Sequence, residues 1–181
     1  YLSFFILLFI GELSVSAQHM FSRQFPFFNQ LSSNEIFSIH QDREGYFWIG
    51  TTNGLARYDG YQLNTFRTDY KNQNLLTDNG ITAINDNDLY VWIGTWKGLN
   101  LYNKQTCRIT PFSDARLLDK VVDAITVDKD GNVWVSAGGM IYRCDSTAHI
   151  IKEYEVGNIQ EGYAISNIYV DQQKQLWAVG S

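Results

Sequence analysis

Apolar and polar residues recur in a fixed order along most of the chain. In each of four segments, two apolar residues three positions apart are followed by Asp or Asn, then by a turn and by a tryptophan inside a short apolar run. Successive tryptophans lie 44, 42 and 43 residues apart, at Trp48, Trp92, Trp134 and Trp177. Because a residue that recurs at a fixed period fills an equivalent space in each repeat, we expect these four to pack in a repeated core.

Each repeat predicts four short strands joined by tight turns. The first turn begins with an aspartate that can cap it and ends with a glycine in two repeats, at residues 42–45 and 128–131. The second repeat is one residue shorter at this turn and the fourth carries Lys174 in place of the glycine, so we expect hairpins of a different shape there. An apolar strand, a second turn, a third strand and a more polar outer strand follow.

A sheet with two apolar faces needs a neighbour on each side, so the repeats are expected to stack radially around an axis. The sequence therefore predicts an all-β fold, a β-propeller with four-stranded antiparallel blades of about 43 residues. We expect an incomplete ring of three blades and part of a fourth, at residues 34–78, 79–120, 121–162 and 163–181. Residues 18–33 contain several phenylalanines and are predicted to form an N-terminal strand that closes the ring in the last blade.

The first residues of the chain have the pattern of a secretory signal. Residues 1–10 form an apolar run about half as long as a membrane span, and residues 15–17 are small residues suited to cleavage. We interpret residues 1–17 as a signal peptide that lacks its basic n-region, the alternative being a buried core segment. The chain is therefore expected to be a fragment of a longer exported protein.

Composition limits the classes of partner. The content of 45% apolar and 18% charged residues excludes a disordered chain or a coiled coil. The net charge is −5 and no basic run is present, so nucleic acid and anionic membrane surfaces are not expected partners of this segment. Two cysteines, Cys107 and Cys144, either pair across neighbouring strands or remain free thiols.

Two segments, residues 47–59 (FWIGTTNGLARYD) and residues 91–103 (VWIGTWKGLNLYN), resemble two-component regulator propeller repeats. In that family the repeats build the periplasmic sensor region of large hybrid two-component histidine kinases, which are common in gut Bacteroidetes. The resemblance implies a homodimeric parent, anchored in the inner membrane by later segments. It also implies detection of carbohydrate breakdown products, with oligosaccharide as the ligand, and phosphorelay by parts beyond this segment.

Two other classes of function remain open at this point. One is an exported propeller enzyme that acts on polysaccharide, and the other is an exported adhesion or scaffold propeller. The same repeats also resemble the sensor regions of diguanylate cyclases, so the output of a sensor is open as well. The segment itself is expected to be a binding module and not an enzyme.

One aromatic residue falls outside the repeat. Trp96 follows the second apolar strand, where the first and third repeats carry Thr52 and Ala137, so no rule of the repeat requires an aromatic side chain there. It lies beside a predicted turn and is followed by Lys97. We therefore take Trp96 and Lys97 as candidate ligand-binding residues, with surface or inter-blade packing as the alternative.

No catalytic residue, metal site or cofactor is predicted. The repeated acids are explained by turn capping, and no additional acid stands out as half of a general acid and base pair. The sequence contains no glycine-rich phosphate loop and no nucleophile elbow. The three histidines share neither a repeat position nor a ligand spacing: His19, His40 and His149.

Overall fold

Three four-stranded sheets and one two-stranded sheet make up the folded part of the chain. The computed structural model describes residues 27–68, 75–156 and 165–180. Within these ranges the chain forms fourteen strands, and its only helical segments are two 3-10 helices of three residues each. The predicted all-β class, with four-stranded antiparallel blades in an incomplete propeller, is confirmed.

The strands follow the sequence repeat. The first sheet contains β1 (Ile36–Gln41), β2 (Phe47–Thr51), β3 (Gly54–Tyr58) and β4 (Leu63–Phe66). The second sheet contains β5 (Ile81–Asp86), β6 (Tyr90–Thr95), β7 (Gly98–Asn103) and β8 (Arg108–Pro111). The third sheet contains β9 (Val122–Val127), β10 (Val133–Ala137), β11 (Met140–Cys144) and β12 (Ile150–Glu155). The two-stranded sheet contains β13 (Ile165–Val170) and β14 (Leu176–Gly180), and the 3-10 helices are Phe28–Gln30 and Ala115–Leu117.

Each sheet is a meander in chain order, and the first strands of successive sheets contact one another. Strand β1 contacts β5, β5 contacts β9, and β9 contacts β13, so these four strands form the innermost layer. The antiparallel order gives each sheet two ends. We call the end with the turn at residues 42–46 and its equivalents the hairpin end. The end with the turns at residues 52–53, 96–97 and 138–139, where the first strands begin, is called the connection end.

Side chains packed between successive sheets form the core. Trp48 of β2 is fully buried, and its ring lies 4.8 Å from that of Tyr102 in the next sheet, measured between centroids. Glycine lets the sheets approach, because a Cβ atom on Gly50 would lie 2.6 Å from Cγ2 of Ile81. A Cβ atom on Gly94 would likewise lie 2.6 Å from Cγ1 of Val122, the first residue of β9. The Trp-Ile-Gly sequence thus supplies one large side chain and one gap for the next sheet to fill.

An aspartate links the first turn of three sheets to the tryptophan six residues later. The carboxylate of Asp42 accepts two backbone N–H groups of its turn at 3.0 and 2.9 Å and the indole N–H of Trp48 at 2.6 Å. The same indole bond forms in the third sheet at 3.1 Å and in the two-stranded sheet at 3.0 Å. In the second sheet Asn87 caps a shorter turn, and the buried indole N–H of Trp92 has no partner among the described residues.

The first turn of the last sheet does not differ from the others as expected. Lys174 adopts a φ of 64°, in the left-handed region that Gly45 and Gly131 occupy with φ values of 93° and 82°. Its N–H donates to the carbonyl of Asp171 at 3.0 Å, as in the glycine-containing turns. The expectation of a different hairpin at Lys174 was wrong, because the hydrogen bonds of this turn impose a left-handed φ even on a residue with a side chain.

Two apolar faces have no sheet packed against them within the described ranges. A cavity of about 290 Å³ beside the first sheet is lined by side chains that include Ile36, Ile39 and Phe47. At the other end of the row, the two-stranded sheet exposes Tyr169 and Trp177. The side chain of Trp177 is 57% exposed, in contrast to the buried tryptophans of the three complete sheets.

Some sequence predictions fall on residues outside the described ranges. These are the signal peptide at residues 1–17 and residues 18–26 of the predicted N-terminal strand. The remainder of that predicted strand, residues 27–33, contains the 3-10 helix Phe28–Gln30 and no strand. Across the ranges that are described, no helix is long and apolar enough to cross a membrane.

Candidate ligand-binding site

Trp96 lies at the connection end, in the two-residue turn between β6 and β7. Its backbone N–H donates to the carbonyl of Gly80 at 3.1 Å, which fixes the turn against the start of β5. The indole ring covers Gly80, because a Cβ atom there would lie 2.3 Å from Cε3 of the ring. The side chain is still 44% exposed. A glycine at position 80 therefore lets an indole ring lie against the backbone with its outer part open to solvent.

Phe37 is the aromatic neighbour of Trp96. The two rings meet edge to face, with centroids 6.2 Å apart and an interplanar angle of 64°. Phe37 belongs to the innermost strand of the first sheet and Trp96 to the second, so the contact bridges two blades. We call this pair the aromatic corner. Both side chains are exposed large hydrophobic residues, and such a patch is a common location for ligand contacts.

Polar groups lie beside the aromatic corner. The ammonium group of Lys97 is 3.9 Å from the carboxylate of Asp78 and is largely exposed. The carboxylate of Asp78 also accepts the backbone N–H of Gly80 at 2.8 Å, which holds it next to the ring of Trp96. Apolar ring surface with adjacent charged donors and acceptors is the combination that binds a polyhydroxylated ligand, since such a ligand carries both C–H faces and hydroxyl groups.

The hairpin register corrects one detail of the sequence alignment. Thr95 pairs with Gly98 across the turn that contains Trp96, and Ala137 pairs with Met140 in the third sheet. The position equivalent to Trp96 is therefore Gly138, and Ala137 is equivalent to Thr95. The distance from the repeated tryptophan agrees, since Thr95 and Ala137 each lie three residues after it. The conclusion that the equivalent positions lack an aromatic side chain is unchanged.

A β-bulge lies near the start of every innermost strand. The pairing register shifts at the second residue of β1, β5, β9 and β13, so this residue has no partner in the ladder. The bulged residues are Phe37, Thr82, Asp123 and Ser166. Bulges are frequent next to functional sites because they redirect one side chain. The sequence did not predict these bulges, because the only sign of them was that the residue type varies at this one position of the repeat.

The bulged residues differ in how their polar groups are satisfied. The hydroxyl of Thr82 donates to the carbonyl of Val122 in the next sheet at 2.5 Å, and that of Ser166 donates to Val179 at 3.1 Å. No described residue forms a hydrogen bond or ion pair with the half-buried carboxylate of Asp123. Burial raises the pKa of this carboxyl above its ordinary range.

A second group of charged residues lies at the opposite, hairpin end. The carboxylate of Asp86 accepts hydrogen bonds from the ring N–H of His40 and from the ammonium of Lys104, both at 2.7 Å. It also accepts the backbone N–H of Arg43 at 3.3 Å. Burial acts to raise the pKa of Asp86, but the hydrogen bonds from His40 and Lys104 outweigh it and lower the pKa to about 2. This cluster joins the first and second sheets.

The remaining candidate residues lie apart from the aromatic corner. Trp48, Trp92 and Trp134 are buried between sheets, whereas Trp177 is exposed.

The thiols of Cys107 and Cys144 are free, the first exposed and the second buried. Burial raises the pKa of Cys144 to about 12. The ring of His149 lies 3.1 Å from the hydroxyl of Thr147, and His19 is outside the described residues. Within the described ranges, no three His, Cys, Asp or Glu side chains are grouped as a metal site would require.

Solved structures share the fold of the chain. It is similar to the extracellular domains of two proteins from B. thetaiotaomicron described as hybrid two component systems, BT4673 and BT3049. Identities are 21% and 22%, TM-scores are 0.65 and 0.63, and 83% and 82% of this chain is covered. The chain spans 21% and 20% of the length of those two. It is also similar to virginiamycin B lyase from Staphylococcus aureus, with 19% identity, a TM-score of 0.63, 80% of this chain and 48% of that chain covered.

Sequence comparison identifies the repeat itself. Residues 30–53 match the family model described as two component regulator propeller. A comparison with curated proteins finds no match for the chain. The resemblance predicted from the tryptophan repeats is thereby confirmed, and the matched segment contains β1 and β2 of the first sheet. The chain is a β-propeller segment whose residues 30–53 match the two component regulator propeller repeat.

Proposed function

We propose that this chain is part of the extracytoplasmic ligand-sensing region of a transmembrane hybrid two-component sensor, and that its ligand is an oligosaccharide. The two component regulator propeller repeat at residues 30–53 supports a sensor. The similar structures described as extracellular domains of hybrid two component systems support an exterior location, which for this chain is the periplasm. Signal output, inner-membrane anchoring and dimerisation belong to other parts of the protein.

The aromatic corner is the observation that carries the ligand proposal. Trp96 and Phe37 are exposed, bridge two blades at the connection end, and occupy positions where the repeat does not require aromatic side chains. An indole or phenyl face stacks on the apolar face of a sugar ring, and the neighbouring Lys97 and Asp78 offer a donor and an acceptor to its hydroxyl groups. The propeller thus holds a binding surface in place and performs no chemistry on the ligand.

Titration calorimetry on the full protein tests this function. The probes are maltohexaose, cellohexaose, xylohexaose, mannohexaose and hexagalacturonate. At least one is expected to bind, and Trp96→Ala should weaken that binding by about 1–3 kcal/mol with little change in melting temperature. The matched control is Tyr61→Ala, which removes an aromatic side chain that is 90% exposed at the hairpin end and should leave affinity unchanged.

The alternatives give different results in the same experiment. Unchanged affinity in Trp96→Ala would remove this residue from the site and leave the sensor proposal standing. Cleavage of the bound hexasaccharide by the purified protein, seen as new reducing ends, would overturn the sensor proposal and favour an enzyme acting on polysaccharide. Absence of binding by all five probes would refute the oligosaccharide as ligand.

A further inference from the structure

Asp123 is an acid that the fold does not use. It is the second residue of β9 and is half-buried, yet no described residue donates a hydrogen bond to it or lies within ion-pair distance. The acids that recur in the repeat are fully engaged: Asp42, Asp128 and Asp171 each cap a turn and accept an indole N–H. A carboxylate taken partly out of water without a partner destabilises the folded chain, so its position needs another explanation.

Asp123 lies at the same end of the blades as the aromatic corner. The bond from the hydroxyl of Thr82 to the carbonyl of Val122 aligns the second residue of β5 with the first residue of β9. Trp96 is held at the start of β5 through Gly80. The contact between Phe37 and Trp96 relates β1 to β5 in the same way. The three strands therefore begin at the same height along the blades, and their bulged residues follow one another around the connection end.

The chemistry of the bulged residues changes along this series. Phe37 contributes to the aromatic corner, Thr82 uses its hydroxyl to join two sheets, and Asp123 presents an unpaired acceptor. None of the other bulged residues is acidic, and within the described ranges no group of three His, Cys, Asp or Glu side chains could hold a cation beside Asp123. A neutral ligand rich in hydroxyl donors suits a single acceptor of this kind.

We propose that the carboxylate of Asp123 is a second subsite of the ligand-binding site, where it accepts hydrogen bonds from hydroxyl groups of an oligosaccharide whose other end stacks on the aromatic corner. This inference rests on the proposed function and specifies it further. Because Trp96 and Asp123 belong to different blade junctions, the ligand extends over more than one sugar ring. Hydrogen bonds from hydroxyl groups replace the water that burial removes from the carboxylate, so binding and desolvation of Asp123 are linked.

The test compares two acid-to-amide substitutions in the full protein, with the same five hexasaccharides as probes. Asp123→Asn keeps the size of the side chain and removes its charge, and it should weaken binding by about tenfold to a hundredfold, as expected for loss of a charge-assisted hydrogen bond. The matched control is Asp88→Asn at the hairpin end, where the side chain is 83% exposed, and it should change affinity less than twofold. Melting temperatures of both variants establish that they are folded.

Each outcome decides between the two proposals. Selective loss of binding in Asp123→Asn supports the subsite. Binding that Trp96→Ala weakens and Asp123→Asn leaves within twofold would overturn the subsite and leave the proposed function intact. Equal weakening by Asp123→Asn and Asp88→Asn would also overturn it, since net charge would then be the cause. If the unmodified protein binds none of the hexasaccharides, the proposed function fails and the subsite fails with it.

Discussion

Asp86 at the hairpin end offers a direct test of what holds the first two blades together. Its carboxylate and the ammonium of Lys104 are almost completely buried, with side-chain exposures of 5% and 6%. His40, from the first sheet, donates to the other carboxylate oxygen. The substitution Asp86→Asn keeps the shape of the side chain and removes the negative charge, which leaves the Lys104 ammonium buried without a counter-ion.

Two estimates bracket the loss of stability. The pKa of Asp86 falls from 3.8 to about 2 on folding, and this shift corresponds to about 2 kcal/mol of stability at neutral pH. Removal of one partner from a buried ion pair typically costs about 3–5 kcal/mol, because the remaining charge stays desolvated. Since the pKa is lowered in the folded state, the contribution of Asp86 is present above the unfolded pKa of 3.8 and is lost as the pH falls towards 2.

Native-state hydrogen exchange on the full protein measures this effect locally. Amides of β5 (Ile81–Asp86) should exchange faster in Asp86→Asn by an amount that corresponds to about 2–5 kcal/mol, and the difference should shrink below pH 4. The double variant Asp86→Asn with Lys104→Met should recover part of the loss. The exposed control Asp88→Asn should change protection by less than about 0.5 kcal/mol. Equal effects of Asp86→Asn and Asp88→Asn would refute the reasoning.

Further predictions concern the core, one turn, the open faces and Asp123. Trp48→Ala in the full protein should lower the unfolding free energy by about 3–5 kcal/mol in urea titrations without changing ligand affinity. Lys174→Gly should raise it by about 0.5–1 kcal/mol, because glycine adopts a φ of 64° without steric strain. The isolated 181-residue chain should self-associate in analytical ultracentrifugation through its exposed apolar faces, and a monodisperse monomer would contradict this. Since burial raises the pKa of Asp123, its contribution to stability is lost as the pH rises through that pKa. Asp123→Asn should therefore be more stable than the parent at pH 7 but not at pH 3, as measured by urea unfolding.

The features that the sequence predicts are those that the repeat makes periodic. The spacing of Trp48 and Trp92 predicts one sheet per repeat because the same gap between sheets recurs in each blade. The hydrogen bond from the Trp48 indole to Asp42 is also periodic, but its six-residue separation spans a turn and becomes apparent only from coordinates. Lys174 was misjudged because residue type at a turn indicates preference, whereas the hydrogen bonds of the turn decide the conformation.

Features specific to one blade could not be predicted in this way. Asp86 meets Lys104 and His40 across separations of 18 and 46 residues, and no spacing in the sequence indicates such a cluster. Asp123 was overlooked because acids are common in the chain, and only the absence of a partner distinguishes it. The sequence makes Trp96 a candidate because a large aromatic residue stands where the repeat requires none, whereas its contact with Phe37 depends on how adjacent blades meet.

Asp123 differs from the acids of the hairpin end in how its carboxylate is satisfied, and this difference separates stability from binding. At the hairpin end, hydrogen bonds from the protein lower the pKa values of Asp86, Asp128 and Asp171, so each acid stabilises the fold at neutral pH. At the connection end, burial raises the pKa of Asp123, so its charged form destabilises the unliganded protein at neutral pH. Substitutions at the connection end can therefore change what the surface binds while the capped hairpins keep the blades intact. The two-residue turns at residues 52–53, 96–97 and 138–139 share one backbone framework, and their side chains already differ in size and charge.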